Sequence, residues 1–479
     1  MATVPVAPVF GSIKPSQKQQ LLETNYLNFT DGTNDFAQQY LPEIYEQEVE
    51  RYGNRTLSGF LRMVGAEMPM TSDQIVWSEQ NRLHIAYDAC THSAAVADDI
   101  TFATNAAAGP AFVENVISVN QTIVIMNPAN GAEVKALVTG SVTAGGVASI
   151  SVKSYTAANV APTIPQATAG LKIFVYGSEY RKGTTDNDIK SVTPSFSQFH
   201  NSPIIIKEKY AINGSDTAQI GWVEVATEDG TSGFLWYLKA ESETRLRFED
   251  YLEMAVVEGE LAAAGSGVAG IAGIAYGGTQ GLFAAIQDRG NVVSGFVAAG
   301  GLGTFDNILK NLDTQGAIEE NMLFLNRSTS LDFDDMLAGL SAGANGGTAY
   351  GLFENSEEMA LNLGFTGFRR GSYDFYKTDW KYLNDASTRG AMADNPIDGV
   401  LVPAGTSTVY DQILGTNIRR PFLHVRYRAS EADDRRMKSW LTGSVGGAFT
   451  SSLDAMEVHF LSERCLVVQA ANNFVLFTK

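Results

Sequence analysis

The chain has 479 residues and a formal net charge of −19, with 44% hydrophobic and 18% charged residues. This composition is typical of a folded protein. The acidity excludes a reader of nucleic-acid sequence, because such a protein needs a basic face to neutralise phosphates. Having only two cysteines, Cys90 and Cys465, excludes a disulfide framework. The sequence contains no run of about 18 apolar residues, so it predicts no membrane span.

The first region of the chain, residues 1–70, combines a polar stretch with a helical one. Residues 1–33 carry Pro and Gly markers and predict an extended arm. Residues 34–52 predict a helix that is interrupted or restarted at Pro42. An arm without a core of its own can reach a neighbouring subunit if the protein is an oligomer. Residues 71–91 follow with a β-like stretch around Trp77.

Residues 92–178 differ in composition from both flanks, with few charges and many Val, Ile, Thr, Ala and Gly residues. Turn signals stand at Asn130-Gly131 and Gly145-Gly146. The predicted strands are Val116–Met126, Glu133–Val138, Val147–Val152 and Leu171–Tyr176. This pattern predicts a small all-β domain, a sandwich or barrel, inserted into a larger one.

The next region, residues 179–232, contains two β-rich arms around Asn213-Gly214. Asn-Gly between such arms is the strongest short-range hairpin signal. The β-forming residues of the two arms are Ile204, Ile206, Ile212, Ile220, Trp222 and Val223. A two-stranded hairpin is marginal alone in water, so the sequence predicts that another surface covers it.

Residues 233–264 form the longest uninterrupted helical pattern in the chain. Strong helix formers dominate, proline is absent, and Glu241 and Arg245 stand four apart in the favourable order. The predicted apolar stripe consists of Phe234, Leu238, Phe248, Leu252 and Val256. A helix of this length would span about 48 Å at about 1.5 Å per residue.

The remaining residues predict a mixed α/β region over 265–420 and a closing region over 421–479. In the closing region we expect a charged helix over Ser430–Leu441. Three strands would follow it, at Glu457–Leu461, Cys465–Gln469 and Phe474–Phe477. Because a chain that ends in apolar strands is usually tied into a sheet, the C-terminus is predicted to be structural.

Two motifs could carry enzyme chemistry, and both lack the expected context. Gly265–Gly270 fits G-x-G-x-x-G but follows a predicted helix instead of a strand. Ser341 stands in a G-x-S-x-G pattern at a predicted helix end, with His424 and His459 as conceivable triad partners. Glycine-rich helix ends explain both patterns better.

The metal-binding candidates are also weak. His84, Cys90 and His92 match no standard zinc spacing, so Cys90 is predicted to be a buried free thiol between surface histidines. Two acidic clusters, Asp332/Asp334/Asp335 and Glu431/Asp433/Asp434, lack a calcium-loop pattern and are typical of helix starts. The sequence therefore predicts no catalytic, cofactor or metal site and no enzyme.

The order of these parts resembles the major capsid protein of tailed bacteriophages, the Hong Kong 97-type α+β fold. The resemblance covers most of the chain and implies that 203–225 is the extended E-loop and 233–264 the spine helix of the peripheral (P) domain. It also implies that 71–91 is the base of the P domain and E-loop, 265–420 the axial (A) domain, and 421–479 a return to the P domain. Residues 92–178 would be an insertion.

The resemblance further implies the function and the partners. The chain would assemble into hexamers and pentamers of an icosahedral head in the host cytoplasm, remain in the virion and enclose double-stranded DNA. Portal, scaffolding and auxiliary head proteins would be its partners, with no membrane and no cofactor. The expected inter-subunit contacts are Ile204, Ile206, Lys207, Lys209, Ile212, Asn213, Gly214, Ile220 and Trp222.

Two alternatives stay open at this point. The β-rich insertion also suits another virion component, such as a tail or fibre protein, which would form trimeric rods instead of shells. An α/β hydrolase or nucleotide-binding enzyme would use Ser341 or Gly265–Gly270. Loss of a measurable turnover on substitution of Ser341 would support that second alternative.

Overall fold

A computed structural model describes the larger part of the chain and divides it into two compact units. The described residues are 66–80, 84–102, 115–144, 147–183, 185, 189–191, 196–215, 224–226, 232–269, 277–295, 302–316, 318–341, 366–392, 395–411, 416–445 and 449–479. The smaller unit is Ser78–Phe199, and the larger one takes in the chain up to Trp77 and from His200 onward. The predicted arm and helix of residues 1–65 lie outside the described residues.

Strands dominate both units. They are β1 (Glu67–Met70), β2 (Ile75–Gln80), β3 (Ala86–His92), β4 (Asp99–Thr101), β5 (Gln121–Asn127), β6 (Ala132–Ala144), β7 (Val147–Ser154), β8 (Leu171–Ser178), β9 (Phe196–Asn201), β10 (Ile204–Asn213), β11 (Glu224–Ala226), β12 (Ser232–Phe234), β13 (Asn291–Ser294), β14 (Glu320–Leu325), β15 (Thr366–Arg370), β16 (Tyr373–Asp379), β17 (Ile397–Pro403), β18 (Thr406–Asp411), β19 (Thr416–Pro421), β20 (Leu423–Arg428), β21 (Lys438–Gly443), β22 (Ala455–Val468) and β23 (Val475–Thr478).

The helices belong to the larger unit. They are α1 (Leu235–Glu258), α2 (Leu282–Arg289), α3 (Leu302–Gln315), α4 (Arg327–Ser341) and α5 (Lys381–Asn384), with 3-10 turns at Arg389–Ala391 and Ala471–Asn473. The described residues are therefore a mixture of α and β structure in which strands outnumber helices.

The smaller unit contains a closed barrel in the order β3-β4-β7-β6-β5-β8. Its interior is apolar because alternate residues of each strand point inward, and Ile123, Ile125, Val138 and Val152 are fully buried there. The β5–β6 turn places Gly131 at a φ of +72°, which explains the Asn-Gly signal in the sequence. The all-β structure begins at Ala86 instead of residue 92 and ends at Ser178.

A five-stranded sheet forms one half of the larger unit, in the order β1-β20-β22-β10, with β21 also paired to β22. Strand β22 is its axis: β10 pairs antiparallel with one edge, and β20 and then β21 pair with the other. Helix α1 packs on this sheet through Phe248 and Leu252, which contact Val458 and Phe460. Strands from distant parts of the chain thus share one layer.

Helix α1 is shorter than predicted, with 24 residues instead of the 32 of 233–264. It ends before Gly259, whose α-carbon lies so close to neighbouring backbone that a Cβ would sit 2.6 Å from the carbonyl oxygen of Thr279. The predicted stripe is buried at Phe248, Leu252 and Val256. At about 1.5 Å per residue the helix is about 36 Å long.

A six-stranded mixed sheet forms the other half of the larger unit, in the order β13-β23-β17-β14-β16-β15. Apolar clusters cover both of its faces. One includes Phe324, Val400 and Leu476, and the other includes Leu323, Phe375 and Phe477. Because successive side chains of a strand point to opposite faces of the sheet, each face carries one of the two clusters and is buried.

The closing region differs from its prediction in three ways. Residues 430–437 are not helical, and the segment continues as β21. The strands predicted at Glu457–Leu461 and Cys465–Gln469 are one continuous strand, β22. The last predicted strand, β23, pairs with β13 and β17 in the mixed sheet and not with its neighbour in sequence. The second difference arises because two charged residues between the predicted strands, Glu463 and Arg464, are buried within β22.

Three further strand pairs complete the fold: β2 with β9, β11 with β12, and β18 with β19. The first pair carries the two chain connections to the barrel, since the smaller unit begins within β2 and ends within β9.

Candidate assembly surface

The strand predicted as the first arm of the hairpin, β10, is built into its own subunit. It pairs antiparallel with β22 along its whole length, from Ile204 opposite Arg464 to Asn213 opposite Ala455. The backbone N–H of Gly214 donates to the carbonyl oxygen of Asp454 (3.1 Å). The surface that covers this arm is therefore β22 of its own subunit. The second arm of the predicted hairpin falls within residues that the structure does not describe, so the hairpin itself stays a prediction.

The face of β10 that points towards α1 is committed to the subunit core. Ile206 packs against the cluster of Phe248, Leu252 and Phe460, and Ile212 is only 3% exposed. Glu208 on the same face lies 3.7 Å from Arg247 of α1. Helix α1 and strand β22 thus cover that side within the subunit, and the expectation that Ile206 and Ile212 contact a neighbouring subunit stays a prediction. Residues 216–223, with Ile220 and Trp222, lie outside the described residues.

The opposite face of β10 is open to solvent. Ile205 is 51% exposed, and Lys207 and Lys209 beside it are also exposed. The Nζ of Lys209 lies 3.0 Å from the Oε1 of Glu457, and its hydrogen bond outweighs partial burial and holds the pKa of Glu457 below its usual range. The predicted contact residues are therefore divided between a buried face and an accessible one.

Strand β21 extends this accessible face. Lys209, His459 and Trp440 are cross-strand neighbours on β10, β22 and β21. The rings of Trp440 and His459 stack with centroids 5.1 Å apart, and the Oγ1 of Thr442 lies 2.7 Å from His459 Nε2. A lysine, an imidazole and an indole thus stand side by side, a polar and aromatic surface that sequence patterns did not indicate.

A group of charged residues, here named the charged seam, joins β1, β20 and β22. On one face of the sheet Glu67 lies 2.5 Å from Arg436 and 3.9 Å from Arg464. On the other face Glu463 lies 2.8 Å from Arg428 and 2.9 Å from Arg435. The side chains of Glu67, Glu463 and Arg464 are 7%, 7% and 3% exposed.

The charged seam lies where β20 ends and β21 begins along the same edge of β22. The Glu463 N–H donates to the carbonyl oxygen of Arg435 (3.0 Å), so the connecting segment continues the pairing of that edge. Residues 462–464 are polar and lie between two strands predicted from the sequence, although Ser462 is fully buried. The charged seam also fixes β1, the strand that follows residues 1–65.

A second polar cluster ties the end of α1 to the region around α5. Burial opposes ionisation of Glu258, but hydrogen bonds from Arg389 and Tyr382 outweigh it and hold the pKa of Glu258 below its usual value. Tyr382 donates to Glu258 at 2.5 Å, and the Nη2 of Arg389 donates at 2.7 Å. One turn earlier the indole N–H of Trp380 donates to Glu253 at 3.3 Å. The long helix is thereby fixed to the mixed-sheet half.

The candidate enzyme motifs do not have the surroundings that their chemistry needs. Gly265 follows α1, and no strand lies between them. Ser341 is the last residue of α4, also without a preceding strand, as the sequence predicted. The imidazole of His424 contacts the carbonyl oxygen of Pro421 at 2.9 Å, and His459 contacts Thr442. The described part of the chain therefore supports neither a dinucleotide loop nor a nucleophile elbow.

The remaining candidate ligands are accounted for by protein contacts. Cys90 is buried, as predicted, and burial raises its pKa to about 12. His92 is buried and not at the surface: its Nδ1 lies 2.9 Å from the carbonyl oxygen of Ile164. Asp334 pairs with Lys377 at 2.5 Å, and Asp433 with Lys438 at 2.6 Å.

Among the described residues no group of three His, Cys, Asp or Glu side chains could hold a metal ion. Within the same residues, no helix combines the length and the apolar character that a membrane crossing requires.

Comparison with known proteins gives structural likenesses only. No family model and no curated protein sequence matches the chain. A solved structure from Microbacterium phage Oxtober96 is 10% identical, with a TM-score of 0.36, over 94% of this chain and 98% of that one. One from Mycobacterium phage Bobi is 10% identical, with a TM-score of 0.32, over 62% and 79%.

A third similar structure is the asymmetric unit of the bacteriophage PhiM1 mature capsid. It is 9% identical, with a TM-score of 0.31, over 63% of this chain and 79% of that one. All three similar structures are from bacteriophages, and the third is described as a capsid.

Proposed function

We propose that this chain is a bacteriophage major capsid protein that assembles into hexamers and pentamers of an icosahedral head around double-stranded DNA. The observation that carries the proposal is the packing of the long helix α1 along an open five-stranded sheet, with its C-terminal end fixed to a second, mixed sheet by Glu258. In this proposal α1 is the spine helix, the five-stranded sheet is the P domain, and the mixed sheet is the A domain.

The E-loop is reassigned within this proposal. Strand β10 is a P-domain strand, since it is paired with β22 and covered by α1. The paired strands β2 and β9 are the extended arm, and the barrel is the insertion that it carries. A two-stranded ribbon is marginal alone in water, and Val76 on β2 is 56% exposed. A neighbouring subunit that covered the ribbon would remove this apolar surface from water.

The charge of the chain supports a shell that encloses DNA. A net charge of −19 would keep the wall from adhering to packaged polyanion. Portal, scaffolding and auxiliary head proteins are the partners that such a shell would require, and the virion is its location after assembly in the host cytoplasm.

Sedimentation velocity of the purified chain at rising concentration, with negative-stain electron microscopy, tests the proposal. We expect a cooperative transition from subunits to closed shells or hexameric rings. Trimeric rods would instead show a tail or fibre protein. A subunit that never assembles and loses an esterase or nucleotidase turnover on Ser341→Ala would show an enzyme.

A matched pair of variants tests the reassigned arm. Val76→Asp should leave the melting temperature unchanged and weaken assembly, because it places a charge on the ribbon surface. Val142→Asp is the control, since Val142 is 54% exposed on barrel strand β6. Equal assembly of the two variants would contradict the assignment of β2 and β9.

A further inference from the structure

Two tyrosine rings stand on the outside of the barrel and are open to solvent. Tyr176 lies on β8 and is 50% exposed, and Tyr155, directly after the end of β7, is 48% exposed. Phe174 and Tyr176 point outward, because the residues before each of them belong to the barrel core.

A β-bulge lies at Tyr176. Val175 pairs with Ile123 of β5, and Gly177 pairs with the neighbouring residue of β5, Thr122. Tyr176 is therefore the extra residue of β8 at this point. A bulge of this kind re-aims a side chain relative to a regular strand.

A carboxylate connects the two rings. The Tyr155 hydroxyl donates to the Oε2 of Glu179 at 2.5 Å, and Glu179 follows Tyr176 closely in the chain. The hydrogen bond to Glu179, partial burial and the neighbouring charges of Glu179 and Tyr176 raise the pKa of Tyr155 to about 12. The phenol therefore stays protonated at neutral pH and holds the carboxylate beside the rings.

Phe174 and His84 extend this surface. Their ring centroids are 6.0 Å apart, and Phe174 precedes Tyr176 on the outward side of β8. We name the residues His84, Tyr155, Phe174, Tyr176 and Glu179 the aromatic patch. It combines apolar ring faces with a carboxylate that can only accept hydrogen bonds at neutral pH.

We propose that the aromatic patch binds a neutral carbohydrate chain. A pyranose ring presents apolar C–H groups on its face and hydroxyl donors at its edge. It can therefore lie on a tyrosine ring while one of its hydroxyls donates a charge-assisted hydrogen bond to Glu179. The aromatic patch lies entirely within the smaller unit, so this binding requires no assembly of the chain.

Charge and exposure argue against the other occupants. A polyanion would be repelled by Glu179, and two exposed lysines of the barrel are already paired, Lys172 with Asp88 (3.2 Å) and Lys153 with Asp98. A quaternary ammonium ion is bound in a cage of rings, whereas both tyrosines are open to solvent. The core of a protein interface is depleted of charged residues, whereas this surface contains a carboxylate.

Pull-down of the purified full chain on polysaccharide beads tests the proposal. The probes are amylose, cellulose, chitin and dextran beads, and we expect saturable binding to at least one of them. Tyr176→Ala should raise the half-saturating bead concentration by at least about fivefold, because a stacking ring is lost. Tyr176→Phe keeps the ring and should bind like the wild type. Glu179→Ala should weaken binding about threefold through the lost hydrogen bond.

The matched control is Tyr251→Ala, which removes a tyrosine that is 40% exposed on α1 and should bind like the wild type. All variants should melt at the wild-type temperature, because the changed side chains are exposed. No retention of the wild type on any of the four beads overturns the inference, as does equal binding by Tyr176→Ala and Tyr251→Ala. Retention on heparin beads alone would show a polyanion, and a dimer that Tyr176→Ala abolishes in sedimentation velocity would show a second copy; either result overturns it too.

Discussion

The barrel and the five-stranded sheet show two ways to stabilise strands that come from distant parts of one chain. The barrel is closed, and its interior is filled by apolar side chains such as Ile100, Ile123 and Ile125. The five-stranded sheet is open and changes partners along one edge of β22. At that change it uses Glu463 and Arg464 where a barrel strand would place apolar residues. Closure removes the edges of a sheet, whereas an open sheet needs another device to fix its register.

Charged pairs can fix the register of an open sheet. Burying ions is expensive, so a buried pair adds little stability compared with apolar residues of the same shape. A pair does penalise any register that separates its partners, because an unpaired buried charge costs several kcal/mol. The charged seam therefore fixes which residues of β1, β20 and β22 lie opposite each other. In the barrel, the register of the strands is fixed by the alternation of apolar and polar residues.

The largest expected effect comes from breaking the charged seam. Glu463→Ala removes the carboxylate shared by Arg428 and Arg435, and we expect a loss of about 4 kcal/mol in the unfolding free energy of the larger unit. Scanning calorimetry measures it.

The control for this substitution is Lys153→Ala, which removes an exposed ion pair with Asp98 on the barrel and should cost about 0.5 kcal/mol. A Glu463→Ala loss no larger than that of the control would show that the charged seam does not hold the sheet.

The next largest effect is expected in the apolar core of the barrel. Ile125→Ala opens a cavity in the barrel, where Ile125 is fully buried, and should cost about 3 kcal/mol. Because the barrel has its own core, only its calorimetric transition should move. Ile125→Val should cost about 1 kcal/mol. An equal shift of both transitions would mean that the two units do not unfold separately.

A smaller effect is expected at Asn201, where the chain passes from β9 to β10. Its Nδ2 donates to the carbonyl oxygens of Leu466 (2.6 Å) and Gln280 (2.9 Å), and its Oδ1 accepts from the Gln280 N–H (2.9 Å). Asn201→Ala leaves these buried groups unpaired and should cost about 2 kcal/mol.

The matched control is Asn291→Ala, which removes hydrogen bonds to the carbonyl oxygens of Asn472 and Phe474 at a less buried position; we expect a loss below about 1 kcal/mol. Chemical denaturation distinguishes the two variants, and an equal loss would contradict the role of Asn201.

The smallest effect concerns pH and the end of α1. The pKa of Glu258 in the folded chain lies below its ordinary value of 4.5. A depressed pKa contributes stability that is present above the unfolded value and is lost as the pH falls through the folded value. The difference in melting temperature between wild type and Glu258→Gln should therefore be constant above about pH 5.5 and shrink as the pH falls below 4.5. A difference that grew with acidification would have the wrong sign.

The sequence predicted those parts of the fold in which periodicity and burial agree. Helix α1 follows from its uninterrupted pattern, and Phe248, Leu252 and Val256 are buried as expected. The barrel strands follow from β-forming residues between turn signals, in a stretch almost free of charge. In both cases local preference and tertiary packing favour the same structure.

The sequence did not predict the structures that depend on distant partners. Glu463 and Arg464 fall outside the predicted strands because their counter-ions, Glu67, Arg428 and Arg435, lie elsewhere in the chain. Likewise nothing local to Asn213-Gly214 shows that β22 is the partner of β10. Of the predicted contact residues, alternation placed Lys207 and Lys209 on one face and Ile206 and Ile212 on the other. Only the structure shows which of the two faces of β10 is covered by α1.

The most direct test of the proposed function is a cryo-electron microscopy reconstruction of particles assembled from the purified chain. We expect closed shells of hexamers and pentamers, in which each subunit shows a rod of 24 residues, α1, along the five-stranded sheet. We also expect the β2–β9 ribbon to contact neighbouring copies. Particles built as trimeric rods, or subunits whose β2–β9 ribbon contacts no other copy, would contradict the proposal.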